Sequence, residues 1–229
     1  MAKSAASVQA KVVKGGGAAL VAAMDCSQVF ACFDPEIKFG PHSEMQGSLD
    51  SVEKYDPKQN KGYQAEHVPP AGTMHVSGRG EKGEALIAGA TGSKYTTSSA
   101  TTWMAHDGQG ELREHKILTD NMREFSQLNQ AAIPPKNATL KEWLSKYKDG
   151  VKKALKTAVP KRKIKKPPDL DEDALIDKAA ECIEAAALKY FKEAGVDENT
   201  KLRNFWKPRK DQIEAAQAVA RNAPKGGAK

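Results

Sequence analysis

Glu66 and His67 stand side by side in the segment Gly-Tyr-Gln-Ala-Glu-His-Val-Pro-Pro, residues 62–70, and His75 follows shortly after. The chain has five histidines, and His67, His75, His106 and His115 all fall between residues 67 and 115. A histidine changes charge near neutral pH, so it can take or give a proton. Hydrolysis of a phosphodiester needs a base to activate water and a divalent cation to stabilise charge on the phosphate and the leaving oxygen. One histidine can be that base. Glu66, His106, His115 and Asp120 supply hard or borderline ligands for a cation, Mg²⁺ or Zn²⁺. Neighbours on a strand point to opposite faces, so Glu66 and His67 share one site only if the strand is distorted, and His67 is the favoured base. The same histidines also fit a bland reading as solvated or structural residues, because their surroundings are rich in Gly, Ser and Thr.

The elements that would position these residues are uneven. Tyr63 to Val68 reads as a strand ended by Pro69-Pro70, which would hold His67 at a strand end. Ala85 to Ala88, flanked by glycines, reads as a second short strand. Tyr95 to Ala105, Thr/Ser-rich around Trp103, reads as a third strand or a substrate-facing loop. Asp107-Gly-Gln-Gly110 reads as a turn. Beyond it the pattern becomes helical. Thr119 or Asp120 is suited to cap a helix carrying Met122, Phe125 and Leu128, which ends before Pro134-Pro135. Thr139-Leu-Lys-Glu142 is a capping box opening a stripe of Leu140, Trp143, Leu144 and Tyr147. Asp169-Leu-Asp-Glu172 reads as another, opening a helix with Leu175, Ala179, Cys182, Ile183, Ala186 and Tyr190 on adjoining turns, stopped by Gly195. A last helix is expected over about 209–222 behind Pro208. Upstream, Gly17 to Met24 reads as a short Ala-rich helix or tether, and Val29 to Phe39 as short strands or packed loops broken by Asp34-Pro35 and Gly40-Pro41.

The fold class implied is α+β: a small irregular β region at about 60–115 followed by a mainly helical C-terminal part. Three stretches are expected: a tether or packing segment (1–60), an α+β core (61–135) and a helical region (136–229) containing a basic linker at 151–168. That linker holds seven lysines and Arg162 with no acid. Lys161, Arg162, Lys163, Lys165 and Lys166 are its candidates for contact with nucleic-acid phosphate. A solvated linker fits as well, and the acidic stretch 169–198 would neutralise part of its charge. The net charge of +7 favours an anionic partner, nucleic acid first.

Three cysteines, Cys26, Cys32 and Cys182, make a disulfide framework unexpected, although Cys26 and Cys32 would pair if their segment turned back on itself. A reducing compartment is the default reading. No apolar run approaches the length of a membrane span, and the start of the chain lacks a conventional signal peptide.

The segment at residues 62–70 resembles the opening of toxin domains in the His-Me finger (HNH-like) endonuclease group, which often begin Tyr-Gln-x-His-His-Ile-x-Pro. One branch is named for a Glu-His-His-His pattern, similar to Glu66-His67 with His106 and His115. The resemblance covers roughly residues 60–130. It implies His67 as general base and Glu66 beside it in the active site, with His106 and His115 as metal or phosphate contacts and Asn121 as the residue orienting the base. It also implies an antibacterial effector secreted by a contact-dependent or specialised system, acting as a metal-dependent endonuclease in the recipient cytoplasm and blocked by an immunity protein. This chain departs from the pattern in having Glu rather than His before the base, and it lacks the usual His spacing on a following helix. Two other classes fit the residues: a non-enzymatic basic module binding nucleic acid or protein, and a toxin with transferase chemistry that uses Tyr95 to Trp103 as its substrate loop.

Overall fold

The computed structural model describes residues 17–48, 62–79, 83–107, 112–159, 161–165 and 169–222. It is an α+β fold in which a small sheet lies against a helical layer. Three long helices dominate: α4 (Glu114–Ala131), α5 (Leu140–Thr157) and α6 (Glu172–Glu193). The middle one, α5, packs against both others. Its capping box forms as the sequence predicts: the Thr139 hydroxyl accepts from the Glu142 amide at 3.2 Å, and the Glu142 carboxylate accepts from the Thr139 amide at 2.7 Å. Leu140, Trp143, Leu144, Tyr147, Val151, Ala154 and Leu155 recur at helical spacing and are all buried. The last helix of the core, α6, ends where Gly195 takes φ +82, a left-handed position that favours glycine.

The sheet has the order β2 (Phe39–Pro41), β4 (Thr101–His106), β3 (Tyr63–His67), antiparallel throughout. In register, Glu66 faces Trp103 and His67 faces Thr102. The central strand β4 is buried on both faces, from Thr101 through Ala105. Trp103 and Ala105 join the main helical core, and the Trp103 indole donates to the Tyr147 hydroxyl at 2.8 Å. Met104 points the other way, into a small cluster with Met45 of α3 (His42–Ser48) and with Tyr63 and Ala65. The helix α3 covers that second face. A two-stranded ribbon, β1 (Phe33–Asp34) with β5 (Lys163–Ile164), ties the N-terminal segment to the later basic stretch.

Several local expectations are corrected. The helix α4 begins at Glu114, not at Thr119 or Asp120, so its first turn includes His115. Arg113 is its N-cap and makes no side-chain cap bond, so this end carries no polar signature. The N-cap of α6 is Asp171, whose carboxylate accepts from the Ala174 amide at 2.7 Å, rather than Asp169. Residues 85–88 form a single bridge, Leu86 with His75, and then a 3-10 turn, not a strand. Of 95–105, only Thr101 onward is strand. The N-terminal segment contributes α1 (Gly17–Ala22) and α2 (Cys26–Ala31), the latter with a capping box of Asp25 and Gln28 that the sequence reading missed. The last helix, α7 (Lys210–Asn222), packs on α4. The expected turn at 108–110 lies outside the described residues.

The cysteine reading is also corrected. Cys26 and Cys182 form a disulfide that links α2 to α6 across 156 residues of sequence, and Cys32 is a buried free thiol held above its ordinary pKa by burial. Residues 151–157 are not linker: they continue α5, where Lys148, Lys152 and Lys156 meet Glu184, Asp177 and Asp173 of α6 at 2.6, 3.2 and 2.8 Å. The neutralisation expected between the basic and acidic blocks is therefore formed helix to helix. Among the described residues, no helix is long and apolar enough to cross a membrane.

Candidate functional site: a histidine-lined cleft at the end of β3

The strand β3 delivers Glu66 and His67 to its C-terminal end, where the chain turns through Val68, Pro69 and Pro70 into a 3-10 turn, Ala71–Met74. As strand alternation requires, Glu66 points toward the helical layer with its partner Trp103, and His67 points to the α3 side. A cleft of about 390 Å³ wraps this strand end and reaches both residues. Its other walls are Pro70, Ala71, Gly72 and Arg79 from the following turn, Thr97, then His115, Thr119 and Arg123 of α4, and Phe205 and Trp206. His115, Thr119 and Arg123 are four residues apart and so line one helix face.

Within the cleft, the His115 Nδ1 donates to the Glu66 carboxylate at 2.6 Å. That bond turns Nε2 away from Glu66, toward the Thr119 hydroxyl at 3.5 Å. Burial alone would pull the His115 imidazolium down. The hydrogen bond and charge of Glu66, with the more distant Asp107, outweigh it, and the ring ends above the ordinary histidine value. His67 goes the other way. Its Nε2 donates to the Thr97 carbonyl at 3.1 Å, while burial, aided by His75, holds its pKa below the ordinary value against that bond and Glu66. The tautomer with the proton on Nε2 leaves Nδ1 as the basic atom. His42 stacks on the His67 ring, centroids 4.4 Å apart, and its own pKa is lowered by burial and by His67. The cleft thus holds one histidine biased to be neutral and one biased to be charged, which is how an acid and a base are separated at one pH.

The remaining expected residues divide. Asp120 does not line the cleft. It pairs with Lys116 at 2.5 Å and with Arg123 at 2.9 Å, and so steadies a cleft cation instead. Asn121 does not orient the base: its amide donates to the Lys146 carbonyl at 2.9 Å, bridging α4 to α5 where Gly150 allows a close approach. The Thr97 carbonyl holds the orienting position. His106 lies at the far end of β3–β4, edge-on to Tyr63 at 5.3 Å. His75 is buried and bonded to the Ala71 carbonyl at 3.0 Å, a structural role.

In the basic stretch, Arg162 is buried rather than offered to phosphate. It donates twice to Glu114, at 2.6 and 2.8 Å, and to the carbonyls of Met104 and Pro35 at 2.5 and 2.9 Å. Lys161 pairs with Glu172 at 2.5 Å and Lys165 with Asp34 at 3.1 Å, both on the surface, and Lys163 is exposed on β5. Lys166 lies outside the described residues.

Among the described residues, no three His, Cys, Asp or Glu side chains gather as a set that could hold a metal ion. Glu66 and His115 already bond each other. This donor arrangement does not fit a resident metal centre of the kind the resemblance implies.

No protein-family model, curated protein or solved structure matches this chain.

Thr97 falls in the segment read as a strand or a substrate-facing loop, but sequence reasoning missed Arg79, Thr119, Arg123, Phe205 and Trp206 as cleft residues. The signal for two of them was present. With the helix begun at residue 114, the i, i+4, i+8 run of His115, Thr119 and Arg123 is readable. Thr97, Arg79, Phe205 and Trp206 come from irregular chain brought in by tertiary structure, for which no spacing rule exists.

Proposed function

We propose that this chain is an endonuclease that cleaves phosphodiester bonds in the cleft at the end of β3. His67 takes a proton at Nδ1 while its Nε2–H stays on the Thr97 carbonyl. His115, held by Glu66, gives a proton from Nε2 to the leaving oxygen. Arg79 and Arg123 bind the phosphate and offset its charge. The observation that carries this reading is the Glu66–His115 bond of 2.6 Å in a cleft shared with His67 and two arginines. A positioned acid or base contributes about 10²–10⁴-fold to rate.

No step is routed through a metal. A hydrated Mg²⁺ needs few protein ligands and can arrive with the substrate phosphates, so added metal belongs in the test. The role as an antibacterial effector with a cognate immunity protein is part of the proposal. It is supported by the resemblance of residues 62–70 to toxin nucleases, and the Cys26–Cys182 disulfide fits passage through an oxidising environment.

The test is cleavage of plasmid and of total RNA by the wild type, His67→Ala and His115→Ala, each with Mg²⁺, Zn²⁺ or EDTA. Cleavage lost in both variants, with their circular dichroism unchanged, supports the reading. Activity retained in both would remove it, and binding of nucleic acid without any cleavage would point to a binding module.

A further inference from the structure

We propose that the substrate is single-stranded RNA, with one base stacked on the Phe205–Trp206 ledge and the chain cut by its own 2′-hydroxyl. This rests on the nuclease reading above. The two rings lie 3.8 Å apart between centroids, tilted by 30°, with the Arg203 guanidinium 5.7 Å from the Phe205 ring. Both residues are half-exposed at the wall of the cleft. They sit on chain without regular secondary structure, yet that chain is fixed on both sides. The Arg203 amide donates to the Thr73 carbonyl at 2.9 Å, the Trp206 amide to the Ser126 hydroxyl at 3.3 Å, and the Gln127 side chain to the Lys207 carbonyl at 2.8 Å. A fixed, half-open aromatic pair beside two arginines is a platform for an unpaired base with its phosphate alongside. A base inside a duplex has no free face to offer it.

The chemistry selects RNA over DNA. The cleft supplies a proton acceptor and a proton donor, which is all that attack by a hydroxyl already beside the phosphate needs, whereas attack by water on DNA would draw on a cation brought in with the substrate. RNA carries its nucleophile beside the phosphate. The 2′-oxygen attacks phosphorus as its proton passes to His67 Nδ1. The bond from phosphorus to the 5′-oxygen of the next nucleotide breaks, and that oxygen takes the proton of His115 Nε2. The products are a 2′,3′-cyclic phosphate and a free 5′-hydroxyl, with no co-reactant consumed.

The experiment compares four substrates of one sequence in EDTA: single-stranded RNA, single-stranded DNA, duplex RNA, and RNA with every 2′-oxygen methylated. The expected result is cleavage of the first alone, with cyclic-phosphate ends by mass spectrometry. Stacking of one base is worth roughly a tenfold change in affinity or more, so Phe205→Ala should raise KM about tenfold with kcat largely kept, and Phe205→Tyr should restore it. The methylated RNA, bound but uncut, should quench tryptophan fluorescence, since Trp103 and Trp143 are fully buried and Trp206 is the one at the cleft. Equal cleavage of DNA or of duplex, or cutting that needs added metal and leaves no cyclic ends, overturns this inference while the nuclease reading stands. No cleavage of any nucleic acid, with or without Mg²⁺ or Zn²⁺, overturns both.

Discussion

Two carboxylate–cation pairs meet at consecutive residues of α4, and they are built for opposite purposes. Glu114 pairs with Arg162, and its neighbour His115 pairs with Glu66. In the first pair the side chains are 0% and 3% exposed, and each is saturated: Glu114 also accepts from the His106 amide at 2.7 Å, and the Arg162 guanidinium lies over the Tyr63 and Trp103 rings. In the second pair, His115 is 27% exposed and Glu66 11%, and the other ring nitrogen has only the Thr119 hydroxyl at 3.5 Å, on the wall of the cleft. A buried ion pair must satisfy every donor and acceptor, because an orphaned charge there is expensive. The pair whose ring nitrogen is held only by a long contact at the cleft wall is the one the proposed chemistry uses. Charge type alone placed Arg162 at phosphate, and the fold buries it instead.

The contrast can be broken in order of effect. His67→Ala and His115→Ala should each lower cleavage by about 10²–10⁴-fold, while circular dichroism stays that of the folded chain. Glu114→Ala should act on folding instead: leaving Arg162 buried and unpaired costs about 3–5 kcal/mol, read by urea denaturation. The double replacement Glu114→Leu with Arg162→Met should recover most of that loss, since apolar substitutes avoid the stranded charge. A double variant that stays as unstable as the single would show that Arg162 acts mainly through its carbonyl contacts. Replacing Cys26 and Cys182 by serine should cost about 2–4 kcal/mol, again in urea, with kcat unchanged because the bond lies away from the cleft. Smallest of all, Lys161→Ala and Lys165→Ala should change stability by no more than about 0.5 kcal/mol. If either lysine touches phosphate, the slope of log KM against log salt should flatten by about one unit per contact.

The sequence was most informative where one local rule acted alone. The Thr139–Glu142 capping box and the stripe behind it are short-range physics, and α5 follows them. The strand at Tyr63–His67, stopped by two prolines, put His67 at a strand end as expected. Alternation also separated Glu66 from His67, but a cleft wrapped around a strand end collects both faces. The errors came where long-range contacts replaced local signals. The start of α4 carries Glu114 meeting Arg162, 48 residues away, so local signals placed the cap six or seven residues late, at Thr119 or Asp120 instead of Arg113, and His115 lost its place on the Thr119–Arg123 face. Strands of two and three residues, β1 and β2, carry no readable period. Nothing in the spacing of three cysteines distinguishes Cys26–Cys182 from Cys26–Cys32.

The central claim is that the cleft holds a neutral base and a charged acid whose difference Glu66 maintains. Its most direct test is the pH dependence of kcat/KM for the wild type and Glu66→Gln. His67 must be deprotonated to act as base, so activity rises as pH passes its lowered pKa, below the ordinary value of about 6.5. His115 must be protonated to act as acid, so activity falls as pH passes its raised pKa, above that value. The wild type should show a bell whose two limbs lie on either side of the ordinary histidine value. Glu66→Gln keeps an acceptor but removes the charge, so both limbs should move to lower pH, the alkaline limb further, because Glu66 acts on His115 through a hydrogen bond and charge and on His67 through charge alone. An alkaline limb that does not move, or a profile with a single limb, would contradict the assignment of His115 as the acid held by Glu66.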